Sequence, residues 1–328
     1  MKAILVFIDG TICDDRGRHH LLGTAAFHEA KWILKDIPVP GSVDCLQRLA
    51  GVYKIVYIGA RPMDSHAATL EWLKSSGFPA GPVSLGETQS DRLDIVKKMK
   101  DEFDFFAGIG DRWDDNTLHS ELGCMSIILK EYVGGWGAVF DRIRGYHKNQ
   151  VVARNMAFVE GKVEGLARVC PLLLKKFGGE LWEGYQQSVR EMAESSRSER
   201  RLEDLASFND HHLNPTDLSD MARWYRILDE ENWETESLYG LQERELLENT
   251  RTRYVEKVTR CYLAELWKKH GLPEVGYQIH CRTDAAWWDR PAWNPAIRFE
   301  QPKTLMQGDD YCLFVQTIPE DGEKIATN

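Results

Sequence analysis

Two sets of residues in this chain of 328 have the types and spacing to do chemistry. The first is Asp9-Gly10-Thr11, then Gly59-Ala60-Arg61-Pro62, then Lys97 or Lys98, then Gly110-Asp111 with Asp115 close behind. Carboxylates hold a hard cation such as Mg²⁺, while backbone N–H groups, a hydroxyl and a Lys hold phosphate oxygens. Any one of these motifs is equally the turn that follows a strand. Four of them in order favour the phosphate reading. The second set is Cys261, Cys281 and Cys312 with Asp284, three of the seven cysteines falling in the last quarter of the chain. A thiolate at a helix start or near a cation is a nucleophile or a metal ligand. Three thiolates and a carboxylate also suit a tetrahedral Zn²⁺, although no Cys-x-x-Cys pair is present. The competing reading is three small hydrophobes in a sheet core. His280 is a further acid/base candidate. If its segment is extended, His280 and Cys281 face opposite ways and at most one lines a pocket.

The elements that must position the first set are short apolar runs at 3–8, 54–58, 105–109 and 125–129, which predict buried parallel strands. Helical patterns lie between them at 43–50, 63–76, 88–100 and 115–122. Strand, turn and helix in alternation predict an α/β doubly wound parallel sheet with right-handed crossovers. Ligands of such sheets bind beyond the carboxyl ends of the strands, so Asp9, Arg61 and Asp111 should converge there. The second set belongs to a different pattern. Residues 153–193 read as helix broken at Gly178-Gly179, 191–205 as a charged, solvated helix, 209–215 as a loop and 217–228 as helix. Strands follow at 252–258, 296–299 and 311–315, with an amphipathic helix at 261–270 ended by Gly271. This is a separate α+β domain, helices first and an antiparallel sheet later.

The polar stretch at 145–150 marks a composition shift and divides the chain into domains 1–148 and 151–328. Residues 1–150 carry 18 basic and 20 acidic residues, the remainder 23 and 31. The net charge of −10 argues against a partner that is nucleic acid. No apolar run approaches the roughly 18–20 residues that span a bilayer, so no membrane partner is expected. The apolar start is too short and too soon acidic for a signal peptide, and seven scattered cysteines suit a reduced, cytoplasmic protein. A small-molecule substrate is the expected partner, with a homo-oligomer open and no organic cofactor indicated. Trp287, Trp288 and Trp293 can wall a flat heterocycle, make a dimer contact or cover a core. His19-His20 and His211-His212 read as surface pairs, and 319–328 as a frayed end.

The first set resembles the motifs of the haloacid-dehalogenase-like (HAD) phosphatases, over about 1–148. Arg18-His19-His20-Leu21, Pro38-Val39-Pro40-Gly41 and Thr69-Leu70-Glu71-Trp72-Leu73 look like the polynucleotide kinase 3′-phosphatase branch. The resemblance implies a Mg²⁺ held by Asp9, Asp111 and Asp115, with Gly10, Thr11, Arg61 and Lys97 as remnants of phosphate handling. The family's first motif is Asp-x-Asp-Gly-Thr, whose first Asp takes the phosphoryl group. Phe7 stands at that position and Asp9 at the second, and Gly59 stands where Thr or Ser precedes Gly-Arg. Loss of a covalent nucleophile removes many orders of magnitude of rate, so a pseudophosphatase is expected.

The stretch 240–316 resembles the L-2-amino-thiazoline-4-carboxylic acid hydrolase family. The likeness rests on Cys261 after Val258-Thr259-Arg260, on Gly271-Leu272-Pro273-Glu274-Val275-Gly276-Tyr277, on Cys281 with Asp284, and on Thr304 through Phe314. Two positions depart from the family pattern: Leu313 replaces an Asp and Gln301 an Arg. The family implies ring-opening hydrolysis of a cyclic amidine at its C–N bond. A thiolate or a metal-bound hydroxide would attack, and a carboxylate or His would move the proton. Cys281 is then nucleophile or metal ligand and Asp284 acid/base or ligand. Cys261 and Cys312 complete the pocket, and the metal would be Zn or Mn. Two other readings compete. One is a HAD phosphatase with an unusual site. The other is a non-catalytic protein that binds a small-molecule regulator, since the fold more distantly resembles 4-vinyl-reductase-like sensor domains.

Overall fold

In the computed structural model, which describes residues 2–231, 233–234, 239–291 and 293–319, the first apolar run forms strand β1 (Lys2–Phe7). The expected frayed end lies outside the described residues from 320 onward. β1 is buried on both faces, as the centre of a parallel sheet requires: Ile4, Val6 and Ile8 enter one core cluster, Ala3, Leu5 and Phe7 the other. A short ribbon, β2 (Cys13–Asp14) with β3 (Ile37–Pro38), and the one-turn helix α1 (Ala30–Ile33) follow. Then come α2 (Ser42–Ala50), β4 (Lys54–Gly59), α3 (His66–Ser75), β5 (Val83–Leu85), α4 (Gln89–Met99), β6 (Asp104–Gly110), α5 (Asp115–Leu122) and β7 (Met125–Ile128). The sheet runs β5-β4-β1-β6-β7 and every pairing is parallel. The doubly wound sheet expected from the alternation is therefore present. α4 starts on a capping box in which Thr88 and Asp91 exchange backbone-to-side-chain bonds of 2.9 and 3.1 Å.

The chain divides into two compact units, 1–146 and 147–328. The stretch 145–150, polar enough to read as a boundary, is helical and lies inside α6 (Val139–Phe177). Ile143, His147 and Val151 are buried at a spacing of four, the helical period that its polar neighbours mask.

In the second unit α7 (Glu180–Ser195), α8 (Arg197–Asp210) and α9 (Met221–Glu231) precede the sheet. The sheet is antiparallel, in the order β10-β11-β9-β8, from β8 (Gln242–Asn249), β9 (Arg253–Cys261), β10 (Arg298–Lys303) and β11 (Cys312–Thr317). Strand β8 was not foreseen, because Gln-Glu-Arg-Glu reads as solvated surface. Between β9 and β10 lie α10 (Tyr262–Lys269), α11 (Pro273–Ile279), a 3₁₀ turn at Cys281–Thr283 and α12 (Asp284–Trp288). The segment around His280 is thus helical and not extended, with Pro273 in the first turn of α11. His280 and Cys281 are therefore not held to opposite faces of a strand. Among the described residues no helix is long and apolar enough to cross a membrane.

Candidate functional site

Each unit carries a cavity at the place where its sheet collects functional side chains. In the first unit a cavity of about 290 Å³ opens at the carboxyl edge, between the turns after β1, β4 and β6. Asp9, Asp111 and Asp115 line it, and Arg61 reaches Asp9 from the turn after β4. The predicted convergence is real, but its chemistry differs from the expectation. Arg61 is fully buried, and its Nε donates to both Asp9 oxygens at 2.9 and 3.0 Å while Nη2 donates to Oδ1 at 2.6 Å. Arg18 Nη2 adds a fourth bond to Oδ1 at 3.0 Å. Burial pushes the Asp9 carboxyl up, but the two guanidiniums outweigh it and hold it below the usual range. Arg18 is fixed in turn by Asp36, at 3.1 Å to both oxygens, and by the Phe27 carbonyl at 2.9 Å.

The other two acids are placed differently. Asp111 accepts a short hydrogen bond from Thr11 Oγ1, and its Oδ2 is buried without a partner among the described residues. Burial pushes it up to about 7 against the Thr11 bond, with Asp115 and Glu131 adding to the rise. Asp115 accepts from the backbone N–H groups of Arg112 at 3.0 Å and Asp111 at 3.1 Å, and burial still lifts it to about 6. Gly10, at φ +80°, leaves the space that the Asp111 carboxylate fills. Phe7 lies 5% exposed, edge-on to His119 at 5.6 Å. Lys97 is exposed, 3.9 Å from Asp94, and it is Arg92 that lines the cavity instead. At Gly59 a Cβ would come within 2.9 Å of Leu85 Cδ2, so the strand end is packed too closely for a Thr or Ser without a shift. These residues do not fit a Mg²⁺. The expected Asp9 ligand has both oxygens taken by arginines, and among the described residues no three His, Cys, Asp or Glu are grouped to hold a metal ion.

In the second unit a cavity of about 130 Å³ lies between one face of the antiparallel sheet and the helices α9 and α12. Its floor follows strand periodicity, in which side chains two apart share a face. Arg244 comes from β8, Tyr254 and Glu256 from β9, Phe314 and Gln316 from β11. The register aligns them, Tyr254 opposite Gln316 and Glu256 opposite Phe314. Tyr225 of α9 and Asp284 and Trp288 of α12 form the roof. Asp284 is the expected residue that the cavity includes. Burial pushes its carboxyl up to about 7, with the Gln301 side chain and the charge of Arg244 opposing. Gln301, one of the two departures noted above, is thus a neutral neighbour of Asp284, and its Nε2 has no hydrogen-bond partner among the described residues. Glu256 is raised as well, by burial first, with Arg244 opposing; Arg244 Nη1 stands 3.8 Å from it. Gln316 is 3% exposed, and its Oε1 has no partner among the described residues.

The cysteines sit elsewhere. Cys261 and Cys312 lie near Cys281 and raise its titration, Cys261 raises that of Cys312, and Asp284 raises all three, yet none of the three lines the cavity. Cys261 and Cys281 pack against the core cluster of Trp267 and Met306. Cys312 Sγ accepts the Leu305 N–H at 3.2 Å. Burial raises all three thiols, Cys312 to about 11 and Cys281 further, so at neutral pH they are protonated. Among the described residues no three His, Cys, Asp or Glu are grouped to hold a metal ion, so these cysteines and Asp284 do not fit the expected Zn or Mn site. His280 is half-buried, its Nε2 is buried and unpartnered among the described residues, and burial lowers its titration to about 4. The residues that sequence reasoning missed are Arg18, Asp36 and Arg92 in the first unit, and Tyr225, Arg244, Glu256 and Gln316 in the second. The pairs 254/256 and 314/316 carried a period-two signal, but not which face would meet α9 and α12.

Residues 167–315 match the family model described as L-2-amino-thiazoline-4-carboxylic acid hydrolase. The second unit resembles that family. The match spans somewhat under half of the chain and supports a hydrolase in general. No curated protein matches the chain in sequence. Among solved structures, the chain is similar to one in the Pnkp1/Rnl/Hen1 complex, with TM-score 0.33 and 14% identity over 40% of this chain. It spans 46% of that protein's length. It is also similar to the class C acid phosphatase from Bacillus anthracis, with TM-score 0.30 and 20% identity over 44% of this chain and 78% of that one. A haloacid dehalogenase-like hydrolase from Streptococcus pneumoniae gives TM-score 0.33 and 14% identity, over 43% and 90%.

Proposed function

We propose that the second unit hydrolyses the C–N bond of a small cyclic amidine in the cavity around Asp284. The observation that carries this reading is a small aromatic cavity holding one carboxyl poised near neutrality, Asp284, and one buried acceptor, Gln316 Oε1, with no donor among the described residues. An amidine is flat and presents N–H donors. Its ring suits walls of Tyr225, Tyr254, Trp288, Phe299 and Phe314, and its N–H groups suit Gln316 and Glu256. Asp284 then acts as general base. Its carboxylate takes a proton from water as the water oxygen bonds to the amidine carbon. Asp284 returns that proton to the ring nitrogen, which completes a tetrahedral intermediate; it then takes the hydroxyl proton of that intermediate and passes it to the same nitrogen as the ring C–N bond breaks, leaving a carbonyl on the former amidine carbon and a free amine. The protonated thiols of Cys261, Cys281 and Cys312, none of which lines this cavity, support a packing role and not an attacking one. The first unit is a non-catalytic scaffold on this reading, because Phe7 has no carboxylate and Asp9 is bound by arginines.

The test is turnover of 2-amino-2-thiazoline by the purified protein, followed by mass spectrometry of the ring-opened product. Asp284→Asn should lower kcat/KM by about 10²–10⁴-fold. The wild-type kcat/KM should rise with pH through an apparent pKa near 7, since only ionised Asp284 accepts the proton. Full activity in Asp284→Asn, or a loss on replacing Cys281 by Ser as large as the loss at Asp284, would overturn the assignment.

A further inference from the structure

The tryptophans at the end of α12 have a use that the proposed chemistry leaves open. A second cavity, of about 280 Å³, lies beside the first, walled by Trp224, Trp287 and Trp293 with Arg197, Arg290 and Asp204 among its charged residues. Trp288 lines both cavities. The flanking wall is built the same way from α9, where consecutive residues serve different cavities: Tyr225 the first, Trp224 the second. Tyr225 meets the Trp288 ring edge-on at 5.9 Å and Trp224 at 5.5 Å, so the three rings form one partition.

This partition is held in place from the C-terminal side. Directly after Trp288 the chain is tied to β10 and its approach. Phe299 N donates to Asp289 Oδ1 at 3.0 Å, and Arg290 N donates to the Ile297 carbonyl at 3.0 Å. Arg290 adopts φ +49°, a conformation that a non-glycine residue keeps only when its surroundings impose it. A ring anchored this way acts as a fixed wall.

We propose that Trp288 is a specificity-determining residue that sets substrate length. It closes the reaction chamber at about 130 Å³, and the space behind it is where a flat apolar substituent on the substrate would extend if the indole were removed. This rests on the amidine reading above and adds to it which amidines are taken: compact rings without an aryl extension. The wall of three tryptophans gives the second chamber its preference for an aromatic group.

The experiment is calorimetric titration of the full chain with two probes, benzamidine and 4-phenylbenzamidine, reading the ratio of their Kd values. Wild type should favour benzamidine. Trp288→Ala should shift the ratio at least tenfold toward the longer probe, Trp288→Phe by less, and Ala286→Phe added to Trp288→Ala should reverse it by filling the second chamber. Thermal melts establish that each variant folds, and Trp288→Phe carries the test if Trp288→Ala does not. Benzamidine binding with a ratio unchanged within twofold in the folded variants overturns the partition and leaves the proposed function standing. Wild type that binds neither probe overturns the amidine reading, and the partition with it.

Discussion

Asp9 shows how a single carboxylate changes role when its neighbours change. With four hydrogen bonds from three N–H donors of Arg61 and Arg18, it is the anion at the centre of a buried charge cluster that also holds Asp36. Breaking a buried pair by removing one partner costs about 3–5 kcal/mol, because the remaining charge stays desolvated. Arg61→Met should therefore lower unfolding stability by that amount in urea titrations. Asp111 makes the opposite prediction. Its folded pKa, about 7, lies above the unfolded carboxylate value of roughly 4. It therefore binds more protons folded than unfolded, and the stability this provides is complete below about pH 4 and lost as pH rises through 7. Asp111→Asn should melt at a higher temperature than wild type at pH 8, with the gap closing toward pH 4. A gap independent of pH would show that the side chain is not titrating as described. Neither behaviour was legible in Asp-Gly-Thr and Gly-Asp, which place the carboxyls at strand ends but not their partners.

At the scale of elements, the site in the second unit depends on how α11 and α12 sit over the sheet. Gly276 is the tightest point: a Cβ there would crowd the Trp267 ring and come within 2.8 Å of Met306 Sδ. Overpacking of this kind costs about 1–3 kcal/mol. Gly276→Ala should destabilise by that much in chemical denaturation, and it should weaken ligand binding at Asp284, since α11 leads directly into that residue. The strands themselves were largely readable, because alternation and β-branched content survive in 252–258 and 311–315. β8 was not, because a strand whose side chains are mostly exposed has no hydrophobic signature. The helical turn through Cys281–Thr283 was not readable either, because short helices owe their stability to packing more than to propensity.

For the whole molecule, the two units take different parts of the reading. The first has a doubly wound parallel sheet that gathers Asp9, Arg61 and Asp111 at one edge, with Asp9 bound by arginines. Restoring a nucleophile by Phe7→Asp alone should not give Mg²⁺-dependent hydrolysis of p-nitrophenyl phosphate, because Asp9 stays bound to Arg61 and Arg18. Measurable Mg²⁺-dependent turnover in that variant would refute the capture of Asp9. The second unit matches a hydrolase family and holds a cavity with a near-neutral carboxyl.

Residue order alone settled the class of each sheet and the gathering of Asp9, Arg61 and Asp111 at one edge, because these follow from period, strand length and motif spacing. Which side chains face a cavity was decided only by the tertiary structure. Cys281 and Asp284 are three positions apart, yet the thiol enters a core and the carboxyl a cavity. That choice is made by elements distant in sequence packing on either side, and no local pattern encodes it.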